Sequence, residues 1–436
     1  MDVEDRQDAV DLTDENELFL EAINARDDGD DDIYIDRLTK CIAINETNRD
    51  YHLKLILAYR KIGKIAEAKL AAQIAAATFN DDPFFLLEHA RISDSICDWE
   101  NSISERYFVI DKYIDKNRPI AAQAVIELVF PLCESNNRSK AKDLVVNYRD
   151  IIFEHLTSPR HVFDALLTLR MHKMLLDYLE SLVKIDSSEI IDGLNIKNAV
   201  RMCKEAKNNT ALLFLKNPSI QIISLGQNCL PYTIINRWGL NHISEENNDL
   251  TIFDLGAFPL NYSIDLIKSD FALLRDRNNY WIDLSSSNIP MARIKHTAIS
   301  FFHEKGAYWI DDSLERFHSH ILSKIDVFKK YFGAKHKILF FCICGEIDFS
   351  LLVHELNNIA ATTKSVAVIL NVTNSNFCLY DNYENILYVH APYPDDYNWN
   401  WIGDYTSDRG IAYEYDIVSK ITEFILQYDS QYSLQI

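Results

Sequence analysis

Apolar and polar positions change period once along the chain. From Asp50 to Pro83 the sequence reads DYHLKLILAYRKIGKIAEAKLAAQIAAATFNDDP. Apolar residues recur there at helical spacing on both sides of Gly63-Lys64, which predicts a helix–turn–helix unit. Ala66, Ala68 and Ala72 are small enough to let its two helices approach closely. The unit recurs, because Gly29, Gly63 and Cys97 are spaced by 34 residues. Looser copies lie around Asn137 and from His172.

After Asn208-Asn209 the pattern becomes strand-like. IQIISLG at 220–226, KILFFCICG at 337–345, SVAVILNVT at 365–373 and NILYVHAPY at 385–393 are near-continuous apolar runs. Such runs suit strands covered on both faces. Between them, Leu314, Phe317, Ile321, Ile325, Phe328 and Phe332 form one helical stripe, and FSLLVHELNNIAA is a second helical pattern. Strands alternating with helices predict an α/β domain with a mostly parallel sheet. The expected fold class is therefore α + α/β. It divides into an acidic tail at 1–14, a helical-repeat α-solenoid at 15–210 and an α/β domain at 219–436. Polar Lys207-Asn208-Asn209 marks the expected boundary, with each half folding alone.

Composition narrows the function classes. Asp and Glu total 65 against 44 Lys and Arg, a formal charge of −21. That balance disfavours nucleic acid and anionic membranes as partners. No run approaches 18 apolar residues, and the N-terminus MDVEDRQDAVDLTDENE lacks the form of a secretory signal. A cytoplasmic protein with reduced thiols is expected. The stretch RDDGDDDIYID invites a calcium reading, but with Gly29 sixth the twelfth position is Ile35 where a Glu is needed. It is read as a solvated turn. No phosphate loop, Gly-x-Gly-x-x-Gly or His-Glu-x-x-His occurs, so neither a nucleotide site nor a zinc-peptidase site is expected. No cofactor and no metal is expected.

Candidate chemistry concentrates at SLGQNC, Ser224 to Cys229. Gly226 permits a tight turn at the carboxyl end of the first strand, and Pro231 fits the first turn of a following helix. Cys229 then stands at a helix N-terminus, where a thiol becomes a nucleophile. Backbone N–H groups of the Gly226-Gln227-Asn228 turn could hold an oxyanion. The alternative is an idle buried thiol. His303, in a loop after Phe301-Phe302, is the candidate base, and Asp254 the candidate orienting carboxylate or else a turn cap before Gly256. His390, at a strand end, with Asp404 makes an alternative pair; Asp395 and Asp396 lie near it. His296 is read as a strand residue without a role. His318 and His320 are expected to face solvent, and Cys342 and Cys344 to pack in the core. Tyr397, Trp399 and Trp401 alternate in YNWNW, either to stack on a sugar or peptide ring or to cover the sheet edge.

Two resemblances add to this. The 34-residue helical unit resembles the tetratricopeptide repeat, which implies a concave surface for a protein or peptide partner or a scaffold for the second half. The run ISLGQNCLPYTIINRWGL, then TIFDLGAFPLNYSIDLIKSDF, FFHEKG, DDSLERFHSHI and KILFF resembles the bacterial papain-like cysteine peptidases of Ser-Leu-Gly-x-x-Cys type. Residues matching that pattern are Cys229, Phe253-Asp254, His303 and Arg316-Phe317; Ile252 and Leu255 depart from its Pro-Phe-Asp-Trp element. The resemblance implies a thiol-dependent hydrolase or acyl transferase. The strand–turn–nucleophile start and late His390 and Asp404 are also similar to esterases and acyltransferases of the SGNH type, which act on glycans. A non-catalytic interaction protein with a degenerate α/β domain is the remaining reading.

Overall fold

The structure, a computed structural model, describes residues 15–80, 82–155, 158–185, 190–216, 220–240, 250–284, 289–310, 312–333, 336–343, 354–355, 365–372, 386–395 and 397–432. The acidic tail, most of FSLLVHELNNIAA, Cys344, Cys378 and Asp396 lie outside the described residues. The chain divides into two compact units at Ala124/Val125.

The first unit is built of sequential helix pairs: α1 (Glu15–Asp28) with α2 (Asp31–Ile44), α3 (Arg49–Lys61) with α4 (Ile65–Thr78), and α5 (Pro83–Ser95) with α6 (Trp99–Tyr113). Side-chain caps start several of them: Asp30 accepts from Ile33 N–H, Asn48 from Asp50 N–H and Asp82 from Phe84 N–H. Asp30 and its neighbours thus form a helix cap and an inter-helix turn. Ala68, Ala72 and Ala75 are fully buried, which brings α4 close to its neighbours, whereas Ala66 faces outward. An apolar groove of about 270 Å³ lies among α2, α3 and α4, lined in part by Ile42, Leu55, Tyr59 and Leu70.

Helix pairs continue into the second unit. α7 (Arg118–Glu134) precedes α8 (Arg138–Asn147), then α9 (Arg149–His155), and α10 (Pro159–Thr168) precedes α11 (His172–Ile185). One backbone feature recurs in the turn of every pair. Gly29, Gly63, Cys97, Asn136 and Arg170 all adopt left-handed φ, at +80, +75, +58, +61 and +59°. This conformation ends a helix and reverses the chain, and glycine adopts it at least cost.

A short hairpin, β1 (Ile190–Ile191) and β2 (Leu194–Asn195), leads into α12 (Ile196–Lys216). The expected boundary at Lys207–Asn209 therefore falls inside a continuous helix. Its polar residues are used in packing: Asn209 Nδ2 donates to Trp238 O at 3.0 Å and Thr210 Oγ1 to Gly239 O at 2.9 Å. Gly239 itself has φ +62°, and a Cβ there would overlap the Ala206 carbonyl. Gly239→Ala should cost about 2–4 kcal/mol, from left-handed strain plus overlap with backbone. Urea unfolding followed by circular dichroism measures it, and a loss below 1 kcal/mol would show that the contact relaxes freely.

The remaining strands are β3 (Ile220–Gly226), β4 (Tyr280–Leu284), β5 (Pro290–Ile294), β6 (Ser300–Lys305), β7 (His336–Ile343), β8 (Ser365–Asn371) and β9 (Ile386–His390). As expected, the four apolar runs form a parallel sheet, in the order β3-β7-β8-β9. An antiparallel sheet, β4-β5-β6, was not expected from the sequence. Helices α13 (Leu230–Arg237), α14 (Leu260–Lys268), α15 (Ala272–Arg275), α16 (Ala307–Ile310), α17 (Glu315–Phe332), α18 (Ile402–Tyr405) and α19 (Asp408–Tyr432) complete the unit. The predicted stripe on α17 is buried: Phe317, Ile321, Ile325 and Phe328 are at most 1% exposed. They join Phe253, Phe258 and Phe301 in one core, with ring pairs mostly edge to face. No described helix is long and apolar enough to cross a membrane.

Candidate active site

The β3–α13 turn presents Cys229. Gly226 is the last residue of β3, in register with Cys342 of β7, and Cys229 is the residue just before α13. Its side chain makes no capping bond, while Asn228 Oδ1 accepts the Leu230 N–H at 3.0 Å and the Cys229 carbonyl accepts the Thr233 N–H at 2.9 Å. The neighbour's side chain does the capping, which leaves the thiol available for other work.

Backbone pairing brings a second strand to this turn. Phe258 N–H donates to Gly226 O at 3.1 Å, and the adjacent Ala257 exchanges two bonds with Ser300, the first residue of β6, at 2.9 and 3.0 Å. The segment 257–258 thus bridges the end of β3 to the start of β6. Within β6 the ladder with β5 slips: Met291 faces Lys305, yet Arg293 faces Ser300. The excess residues on β6 include His303. Such a bulge re-aims a side chain that a regular pleat would direct elsewhere.

His303 joins two partners. Its Nδ1 lies 3.1 Å from Oε1 of Glu134, and the ring also hydrogen-bonds Cys229. Glu134 is the last residue of α7 and is mostly buried, at 10% side-chain exposure. The helix end is held in place by Tyr308, whose hydroxyl donates to Ser135 O at 3.3 Å. Burial alone would lower the imidazole pKa. The bonds and charges of Cys229 and Glu134 outweigh it and raise the pKa to about 10. His303 is therefore an imidazolium at neutral pH. The ring keeps 38% of its side-chain surface open, so a small molecule can reach the pair.

Asp254 is placed differently from the expected orienting role. It is buried, and its Oδ2 accepts the Thr251 N–H at 2.6 Å while Ser224 bonds it from β3. Burial raises its pKa, and the charge of Arg170 and these hydrogen bonds oppose that shift. It pins the 251–254 turn to β3, and the carboxylate bonded to His303 is Glu134. Nothing in the spacing of the sequence links Glu134 to His303, since they are separated by 169 residues.

His390 ends β9, in register with Asn371. β9 is three strands from β3, roughly 14 Å at ordinary strand spacing. Asp404 Oδ2 accepts the Asn398 N–H at 3.0 Å and closes a local turn. The aromatic segment beside it turns partly inward: Tyr397 hydroxyl donates to Glu414 Oε1 at 2.6 Å, while Trp401 stays 47% exposed under the Arg160 guanidinium.

Other histidines take structural places. His296 sits in the β5–β6 turn with φ +60°. His318 Nε2 meets Arg275 O at 3.1 Å. His320 is not solvated as expected; it packs on Trp309 at 4.5 Å and bonds Glu304, which also pairs with Lys324. Burial lowers the His320 pKa, with the Lys324 charge acting in the same direction. Among the described residues no group of three His, Cys, Asp or Glu could hold a metal, and Cys41, Cys97, Cys133, Cys203 and Cys229 are free thiols. The chain matches no family model and no curated protein, so the site is read from its geometry.

Proposed function

We propose that the second unit is a thiol-dependent hydrolase or acyl transferase, in keeping with the papain-like resemblance. The observation that carries this reading is His303, hydrogen-bonded to both Cys229 and Glu134. A nucleophile, a base and a carboxylate on that base form the functional constellation of acyl transfer.

Each group then has a defined task. The Cys229 thiolate attacks the acyl carbon, forming a C–S bond while the carbonyl π pair moves to oxygen. Backbone N–H groups of the Gly226–Cys229 turn stabilise that oxyanion. Collapse expels the leaving group, which takes the proton from the His303 imidazolium and leaves a thioester. Water or another nucleophile gives its proton to His303 and attacks the thioester, and the thiolate departs. Glu134 holds the ring and its charge throughout. The esterase-like alternative lacks this contact, because His390 ends a strand far across the sheet.

The first unit, with its helix pairs and 34-residue turn spacing, is read as a tetratricopeptide-like solenoid that binds a protein or peptide partner. Its groove beside exposed Leu70 and Ile74 offers apolar surface for one. A cytoplasmic location accords with the free thiols.

Iodoacetamide mapping tests the nucleophile. In the folded chain near neutral pH, Cys229 should be alkylated before Cys41, Cys97, Cys133 and Cys203. His303→Ala should remove that preference. Labelling of Cys229 together with the other seven cysteines only after denaturation would make it an idle thiol.

A further inference from the structure

A second set of buried groups lies beside this constellation and takes no part in the steps above. Arg138 and Arg170 are 9% and 8% exposed. Arg138 Nη1 donates to Thr168 O at 2.8 Å, but its Nε has no hydrogen-bond partner. Neither Nε nor Nη1 of Arg170 has one, and the Tyr232 hydroxyl, also buried, has none. Buried N–H groups of a cation are costly to leave unpaired.

Tyr232 and Glu134 connect these orphan donors to the surroundings of the nucleophile. Tyr232 is three residues after Cys229, on the same face of the first turn of α13. The Arg170 guanidinium lies 5.4 Å from the Tyr232 ring centre. Glu134 and Asp254 both act on the charge of Arg138, and Arg170 acts on Asp254. Yet Asp254 already accepts bonds from Thr251 and Ser224, and Glu134 is engaged by His303. The cluster therefore holds more donors than acceptors.

Arg170 also occupies an expensive position. It takes the left-handed turn site that Gly29 and Gly63 fill in the first two helix pairs. A glycine would be easier there by roughly 1 kcal/mol. An arginine held against its backbone preference, buried, and short of acceptors has the character of a binding residue rather than a turn residue.

We propose that Arg138 and Arg170, with the Tyr232 hydroxyl, form an anion-binding subsite beside Cys229, so that the acyl substrate carries an anionic oxygen group next to the bond attacked. A carboxylate and a phosphate share the required chemistry, and both bind guanidinium through two oxygens. This rests on Cys229 being the nucleophile of the preceding reading.

Iodoacetate and iodoacetamide test it, because they deliver nearly the same carbon with and without a carboxylate. Their alkylation rates at Cys229 in the full chain are compared by peptide mapping, with glutathione as the free-thiol reference. The rate ratio of iodoacetate to iodoacetamide should exceed that of glutathione by about tenfold or more. The net charge of −21 works against this result, so a raised ratio reports the local site. Arg170→Gly should return the ratio to the glutathione value; it relieves the left-handed turn but takes away the charge that faces buried Asp254, so its Tm is measured beside the parent's to establish that it folds. Arg138→Gln is the second variant and should lower the ratio likewise. Succinate and inorganic phosphate, added separately, should slow iodoacetate labelling of the parent and not of Arg170→Gly; the stronger of the two identifies a carboxylate or a phosphate substrate. An equal ratio in parent and Arg170→Gly, with iodoacetamide still reacting, overturns the subsite alone. No labelling of native Cys229 by either reagent overturns the nucleophile, and the subsite with it.

Discussion

Glu134→Gln should slow acylation of Cys229 about ten- to a thousandfold without unfolding the chain. Single-turnover reaction with p-nitroacetanilide, whose amine leaving group must be protonated to depart, followed by release of p-nitroaniline, measures this. His303→Ala should lose about a thousandfold or more, within the usual range for a positioned acid–base group, and Cys229→Ala should not react. The pH profile carries the sharper information. In the parent, Cys229 and Glu134 keep His303 protonated well above its ordinary range. Leaving-group departure needs that proton, so the rate should fall on the alkaline side only as pH approaches about 10. Glu134→Gln removes one of the two groups that raise the pKa, and the alkaline fall should move to lower pH. Asp254→Asn should leave the profile in place and cost stability, since it loosens the 251–254 turn from β3. A profile moved by Asp254→Asn and not by Glu134→Gln would assign the orienting role to Asp254.

The second large effect is expected behind the site. Glu414, wholly buried on α19, accepts from Arg237 Nη1 at 2.5 Å, Trp238 Nε1 at 2.7 Å and Tyr397 at 2.6 Å. Arg237 also donates to the Trp399 carbonyl and lies under Tyr405, with its guanidinium 3.6 Å from the ring centre. Glu414→Ala strands a buried cation and two further donors, for about 3–5 kcal/mol. For a unit of this size that lowers Tm by about 10 °C. The double variant Arg237→Met with Glu414→Leu should lose much less, because no charge is left unpaired. Calorimetry of the three proteins checks both statements. A double variant worse than Glu414→Ala would mean that packing, and not charge, dominates there.

Features written in local pattern were legible in the sequence. The four apolar runs became the parallel sheet because strands covered on both faces need continuous apolar stretches. Gly226, Cys229 and Pro231 were placed at a strand-to-helix turn because each residue type suits its position. The β4–β6 sheet was hidden for the opposite reason: β4, YWIDL, exposes Trp281, Ile282 and Leu284 and shows no alternation. Asn208-Asn209 reads as a linker only until α12 is seen to spend Asn209 on the carbonyl of Trp238. Glu134 could not be found at all, since a helix-ending glutamate has no signature for a histidine on a distant strand. Asp254, nearer in sequence and in a better-matched motif, drew the role by proximity.

The ion pair between Glu134 and His303 closes a span of 169 residues. Contacts of such long range cannot form until the intervening chain has ordered, and they tend to be among the later ones made. A chain emerging from synthesis therefore carries Cys229 as an ordinary thiol. Only when the helices before β1 and the strand bearing His303 have docked does the sulfur acquire its charged neighbour. On the reading proposed above, the activated form of Cys229 is thus a property of the finished fold.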